Sequence, residues 1–125
     1  MVAVTKEANS LISAGAVQGT AVYNSAHESL GSIYDVMIDK RSGNVAYAIM
    51  SFGGFLGMGE RYHPLPWSLL KYDPEKGGYV VNLDRRQLEG APSYPPGMDP
   101  GWGNRDYETK LHDYYGVGPY WGGLY

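Results

Sequence analysis

The chain has 125 residues, 43% of them hydrophobic, no cysteine and a formal net charge of -3 from 10 basic and 13 acidic side chains. The absence of cysteine excludes disulfides, thiolate metal sites and cysteine nucleophiles. Charges of both signs are interspersed, and the only adjacent basic pairs are Lys40-Arg41 and Arg85-Arg86. Nucleic-acid binders concentrate positive charge, because phosphate contacts dominate their affinity. The composition therefore predicts no nucleic-acid partner.

The first residues, MVAVTKEANSLISAGAV, place Lys6 and Glu7 ahead of a short, mild apolar patch. A signal peptide carries a basic start and a continuous apolar run. A membrane-spanning helix needs roughly 20 apolar residues, and no stretch approaches that. The expectation is a cytoplasmic protein without membrane insertion. High glycine, proline and tyrosine contents (18, 8 and 12 residues) predict an all-β domain of short strands separated by turns.

Residues 1–10 read as an N-terminal extension, and from residue 11 to about 90 the chain reads as short strands. GTAVYN (19–24) is the first, followed by the polar turn NSAHESLG. GSIYDVMID (31–39) is the second. Side chains alternate faces along a strand, so Ile33, Val36 and Ile38 share a face only if a β-bulge interrupts it near Tyr34-Asp35. KRSGN is a tight turn in which Gly43 supplies a positive φ. NVAYAIMSF (44–52) is apolar on both faces, which requires a cover on each side.

SFGGFLGMGERYHPLPW (51–67) follows. The spacing G-G-x-x-G-x-G is not a dinucleotide fingerprint, and neither a helix nor Gly-Lys-Ser/Thr comes after it. The glycines read as a hairpin connection, with apolar Phe55, Leu56 and Met58 at its tip as a candidate contact surface. Pro64 and Pro66 confine ERYHPLPW to a sheet edge or a strand end. Trp67 should pack at a barrel end. WSLLKYDPEKGGYVVNL (67–83) reads as a hairpin turning at DPEKGG, and DRRQLEGAP (84–92) as one helical turn capped by Asp84 and stopped by Gly90.

Beyond Pro92 the chain becomes rich in proline, glycine and aromatics and holds half the tyrosines. It has too few aliphatic side chains for a second core, so residues 93–125 read as an aromatic arm, with a short helix over Asp106–Tyr115 capped by Asn104 and ended by Gly116. Trp102, Tyr114, Tyr115, Tyr120 and Trp121 are candidate interface anchors, since aromatics lead at such surfaces. They are expected to cover their own barrel in preference to a neighbour's.

His27, His63 and His112 lack metal-ligand spacing, so the sequence assigns no metal and no cofactor. His63 reads as structural and His27 as solvated. No G-x-S-x-G elbow is present. Asp35 and Asp39 read as solubility and turn-capping residues, and no catalytic residue is assigned.

GTAVYN, LGSIYDVMIDKRSGNVAYAIMSFGGFLGMGERYHPLPWSLLKYD and GGYVVNL together resemble the PRC-barrel domain family over about residues 11–92. The shared features are the Gly31-led strand ending in Met37-Ile38-Asp39, the Gly43 turn, the Val45 strand and Tyr62-His63-Pro64-Leu65-Pro66-Trp67. The arm, with Asp113-Tyr114-Tyr115-Gly116 and Tyr120-Trp121, is similar to that of stand-alone bacterial members. The family takes its name from the cytoplasmic domain of the photosynthetic reaction centre H subunit, and it includes a ribosome maturation factor. The resemblance implies a small β-barrel of about six strands and a role in binding and assembly, without enzymatic activity.

The expected function is a protein-interaction module with unknown protein partners, one of them another copy of itself as a homodimer. Two other classes compete with it. One is small-molecule or metal binding, with or without hydrolysis, in a cleft between barrel and arm. The other is an accessory role in RNA or ribosome maturation, or in photosynthetic electron-transport assembly. Two histidines clustered with a carboxylate would favour the former, and a basic face joining Arg61, Lys71, Arg85 and Arg86 the latter.

Overall fold

Strand β3 (Val45–Phe52) has both faces buried, and the rest of the architecture follows from how each is covered. The computed structural model describes residues 10–52 and 59–122. Along the chain lie α1 (Ala14–Val17), β1 (Ala21–Asn24), β2 (Ser29–Ile38), β3, β4 (Arg61–Pro66) and a 3-10 turn (Trp67–Leu69). They are followed by β5 (Lys71–Asp73), β6 (Gly78–Val81), α2 (Arg85–Glu89) and α3 (Arg105–Tyr115). The six strands form one sheet in the order β4-β3-β2-β1-β6-β5. Its neighbours are antiparallel except β1 and β6, which run parallel. This is the expected mostly-β fold of six strands, consistent with a PRC-type barrel. The end strands β4 and β5 do not pair with each other among the described residues, so the ladder is not closed.

The first core lies on one face of the sheet. Ala48, Met50 and Phe52 of β3 join Val22, Ile33, Leu65, Tyr79 and Val81, and α1 and α2 add Val17 and Leu88. The second core lies on the other face. Tyr47 and Ile49 meet Leu111 of α3, flanked by Tyr62, Tyr94, Trp102, Tyr107 and Tyr120. Residues of the arm thus cover the second apolar face of β3. Tyr115 packs against both cores.

The predicted bulge is present: the β2–β3 register shifts between Ile33 and Asp35. It brings Ile33 and Val36 to the first core. Ile38 does not join them. Met37, next after Val36, alternates to the second core, and a second shift between Met37 and Ile38 leaves Ile38 exposed. β2 also starts at Ser29, two positions before the expected Gly31. The single turn α1 was not expected; Ser13 caps it by accepting from the Ala16 amide. Trp67 opens a 3-10 turn instead of a strand, so the hairpin is confined to β5 and β6.

Other local readings match the structure. Pro64 and Pro66 lie on β4, an end strand. Gly43 and Gly77 take φ of 79° and 64° in their turns. Asp84 and Gln87 form a reciprocal capping box on α2. Asn104 caps α3, and Gly116 ends it at φ 68°. Asp39 accepts from Ser42 Oγ and the Arg41 amide, as a turn-capping residue does.

Candidate functional site

Glu108, Leu111, His112 and Tyr115 recur at helical spacing and form the inward stripe of α3. Three of the four are ionisable, and Glu108 and His112 are the two that reach Tyr47. Opposite them, the alternation of β3 turns Tyr47 out of the first core and toward this stripe. Tyr47, Glu108 and His112 are buried, at 1%, 5% and 6% exposure.

The Tyr47 hydroxyl lies 3.0 Å from Glu108 Oε1 and 2.8 Å from His112 Nε2. His112 Nδ1 faces the Val117 carbonyl at 3.2 Å. A carbonyl only accepts, so Nδ1 carries the ring proton and the neutral ring presents a bare Nε2 to Tyr47. One phenolic hydrogen is then shared by two acceptors. Burial lowers the pKa of His112, opposed by the Val117 carbonyl and the Glu108 charge. Burial and the Glu108 carboxylate hold the Tyr47 phenol far above its ordinary value.

The return of the chain after Gly116 completes the site. Val117 N donates to the His112 carbonyl, and Tyr120 packs edge-on to Tyr47 at 5.7 Å between ring centroids. Trp121 lies edge-on to His112 at 5.3 Å. Arg105, in the first turn of α3, stacks 4.0 Å from the Trp121 ring centre. It donates to Tyr120 Oη at 3.1 Å and pairs with Glu108 at 3.7 Å. Burial, and next the Glu108 carboxylate, raise the Tyr120 pKa.

A cleft of about 530 Å³ opens between this group and the β2–β3 turn. Its lining includes Asp39, Lys40 and Arg41 from the turn, and Trp102, Arg105, Glu108 and Trp121 from the arm. Cations and aromatic faces of this kind suit a small ligand with an acidic group. Among the described residues no three His, Cys, Asp or Glu side chains are placed to hold a metal. The two buried histidines, His63 and His112, do not cluster. His63 lies on β4, edge-on to Phe52 at 5.2 Å, and buried on the first-core side of the sheet.

Of the predicted interface residues, Phe55, Leu56 and Met58 lie outside the described residues. Trp102 and Tyr120 pack in the second core of their own chain. Tyr115 bridges the cores, and Tyr114, 43% exposed, donates to the Gln87 carbonyl. Trp121 sits over Arg105. Sequence reading singled out none of Tyr47, Glu108 and Arg105, and of His112 it noted only the lack of metal-ligand spacing. The signal was available: Glu108 and His112 fall, four apart, on the face that Leu111 and Tyr115 mark as inward.

A family model described as PRC-barrel domain matches residues 11–88. Among solved structures, the chain is similar to a putative 16S ribosomal RNA processing protein from Pseudomonas aeruginosa. The identity is 17% and the TM-score 0.41, over 66% of this chain and 50% of that one. The chain thus spans about half the length of that protein. No curated protein matches.

Proposed function

The chain belongs to the PRC-barrel domain family, and from that premise we propose that it is a non-catalytic, cytoplasmic assembly module that binds other proteins and a second copy of itself. One observation carries this reading. The second face of the sheet grips an aromatic segment, here residues of its own arm, through Tyr47 and Ile49 of β3, which pack against Leu111 of α3. A surface shaped for rings and held by few polar bonds also suits a neighbour's arm or a partner's aromatic segment. Tyr34, Tyr72 and Met98 remain outward, at 52%, 39% and 61% exposure, as further contact points.

Light scattering on the intact chain across a wide concentration range tests the self-association. The expected result is a concentration-dependent dimer. A strict monomer at the highest concentration removes that part of the proposal. Affinity capture with the wild type and with a Tyr34→Ala, Met98→Ala double variant tests the outward surface. Identical partner sets would move the contact elsewhere.

Small-molecule binding is the second reading, favoured by the cleft that Arg105, Lys40 and Arg41 line. A thermal shift with small aromatic acids that disappears in Arg105→Ala would support it. No helix among the described residues is long and apolar enough to cross a membrane.

A further inference from the structure

Aromatic rings run in unbroken succession from the buried site to the surface. Tyr47 lies 5.4 Å from Trp102, centroid to centroid, and Trp102 lies 5.6 Å from Tyr107. Tyr107 lies 6.5 Å from Tyr94, and Tyr94 lies 5.7 Å from Tyr62. Tyr62 stacks on Tyr34 at 4.2 Å with the planes only 16° apart, and Tyr34 is 52% exposed. Electrons pass rapidly between indole and phenol rings in near contact, so such a row conducts one-electron vacancies.

A vacancy settles where the oxidised ring can lose its proton, because a phenol radical cation is a very strong acid. The hydroxyls of Tyr107 and Tyr115 are buried and have no hydrogen-bond partner among the described residues. Tyr114 donates to a carbonyl, which is not a base at neutral pH. Tyr120 is beside Glu108 but accepts from Arg105, whose positive charge disfavours a vacancy there. Tyr47 alone among the described tyrosines has its hydroxyl on an imidazole nitrogen, 2.8 Å away.

We propose that Tyr47 and His112 form a redox-active tyrosine site, reached by oxidising equivalents through the aromatic row that surfaces at Tyr34. An outer-sphere one-electron oxidant removes one electron at Tyr34, and the vacancy moves inward ring by ring. At Tyr47 the O–H bond breaks, and the proton passes to His112 Nε2. The products are a neutral tyrosyl radical and an imidazolium cation. Glu108 Oε1, 3.0 Å from the same phenol oxygen, supplies the nearby negative charge that the new cation needs inside the protein. Arg105 and Tyr120 also face Glu108 and share that charge. A one-electron donor at the surface reverses each step, returning the proton to Tyr47. This activity is independent of the assembly role proposed above.

The test uses the intact chain with a photogenerated ruthenium(III) polypyridyl complex as oxidant, and electron paramagnetic resonance to follow the tyrosyl radical. The wild type should give a neutral tyrosyl radical that lives several-fold longer than the one in Tyr47→Phe, and that forms more slowly in heavy water. His112→Gln, which keeps a polar partner but removes the base, should slow its formation. Trp102→Leu should lower its yield. Circular dichroism of each variant separates loss of fold from loss of the radical, and the heavy-water comparison needs no variant. An unchanged radical lifetime and yield in folded Tyr47→Phe overturns the proposal. So does a wild-type radical without a solvent isotope effect, or no tyrosyl radical at all.

Discussion

The hydroxyl of Tyr47 on β3 meets Nε2 of His112 on α3 at 2.8 Å, across 65 positions of sequence. This contact, with Glu108 beside it, is the polar centre of an otherwise aromatic junction between sheet and arm. Tyr47→Phe keeps the ring but leaves a buried carboxylate and a buried imidazole without their shared hydroxyl. A stranded buried group costs about 1–3 kcal/mol, and Glu108 keeps Arg105 and Tyr120 as partners, so loss at the imidazole should destabilise the variant by about 2 kcal/mol. Urea unfolding measures the loss. Near-ultraviolet circular dichroism should change more than far-ultraviolet, because the aromatic junction loosens while the first core stays packed.

Gly31 is required by close approach, not by an unusual φ. A Cβ built there would lie 2.1 Å from the backbone oxygen of Ser51 on β3. Backbone in a paired strand cannot yield as a flexible side chain can. Gly31→Ala should therefore cost at least the roughly 1–3 kcal/mol typical of overpacking. It should also separate β2 from β3 locally, faster amide exchange at Ser32 and Ser51 being the expected sign.

Gly116 ends α3 at φ 68°. That turn carries Val117 back to the helix, where its carbonyl faces His112 Nδ1. An L residue in this conformation costs about 1–2 kcal/mol. Gly116→Ala should lose about 1 kcal/mol in urea unfolding. Gly118→Ala, two positions on and with open space about it, should lose less than half as much.

What the sequence revealed and concealed follows from the range of the interactions. Asp84, Asn104, Gly116 and the Ile33/Asp35 bulge were legible because caps, turns and bulges are written in neighbouring residues. The two-faced hydrophobicity of β3 announced a cover but not its identity. That cover is Leu111 and its neighbours, more than fifty positions away. Ile38 was misplaced because the second register shift, at Met37/Ile38, has no signal such as the apolar spacing that exposed the first. Tyr47 read as one more β-strand aromatic, since its partners become visible only when α3 is laid across the sheet.

His63 sets the expected response to acid. It is 3% exposed, and burial first, then the Arg61 charge, lowers its pKa from 6.5 to about 4. Its Nδ1 has no partner among the described residues, so the folded state offers the imidazolium no compensation. The unfolded chain takes up the proton near pH 6.5 and the folded chain near 4. The unfolded state thus binds more protons between these values, and stability must fall as pH falls through that window. Stability is fully present above about pH 6.5 and levels off below about 4. Burial lowers the pKa of His112 as well, and it acts in the same direction. The His63 contribution is on the order of 2 kcal/mol, discounted because Arg61 is exposed and screened. Urea midpoints between neutral pH and pH 4 should reveal the fall, and His63→Leu should flatten much of it. An equally steep fall in His63→Leu would assign the acid response to His112 and the docking of the arm.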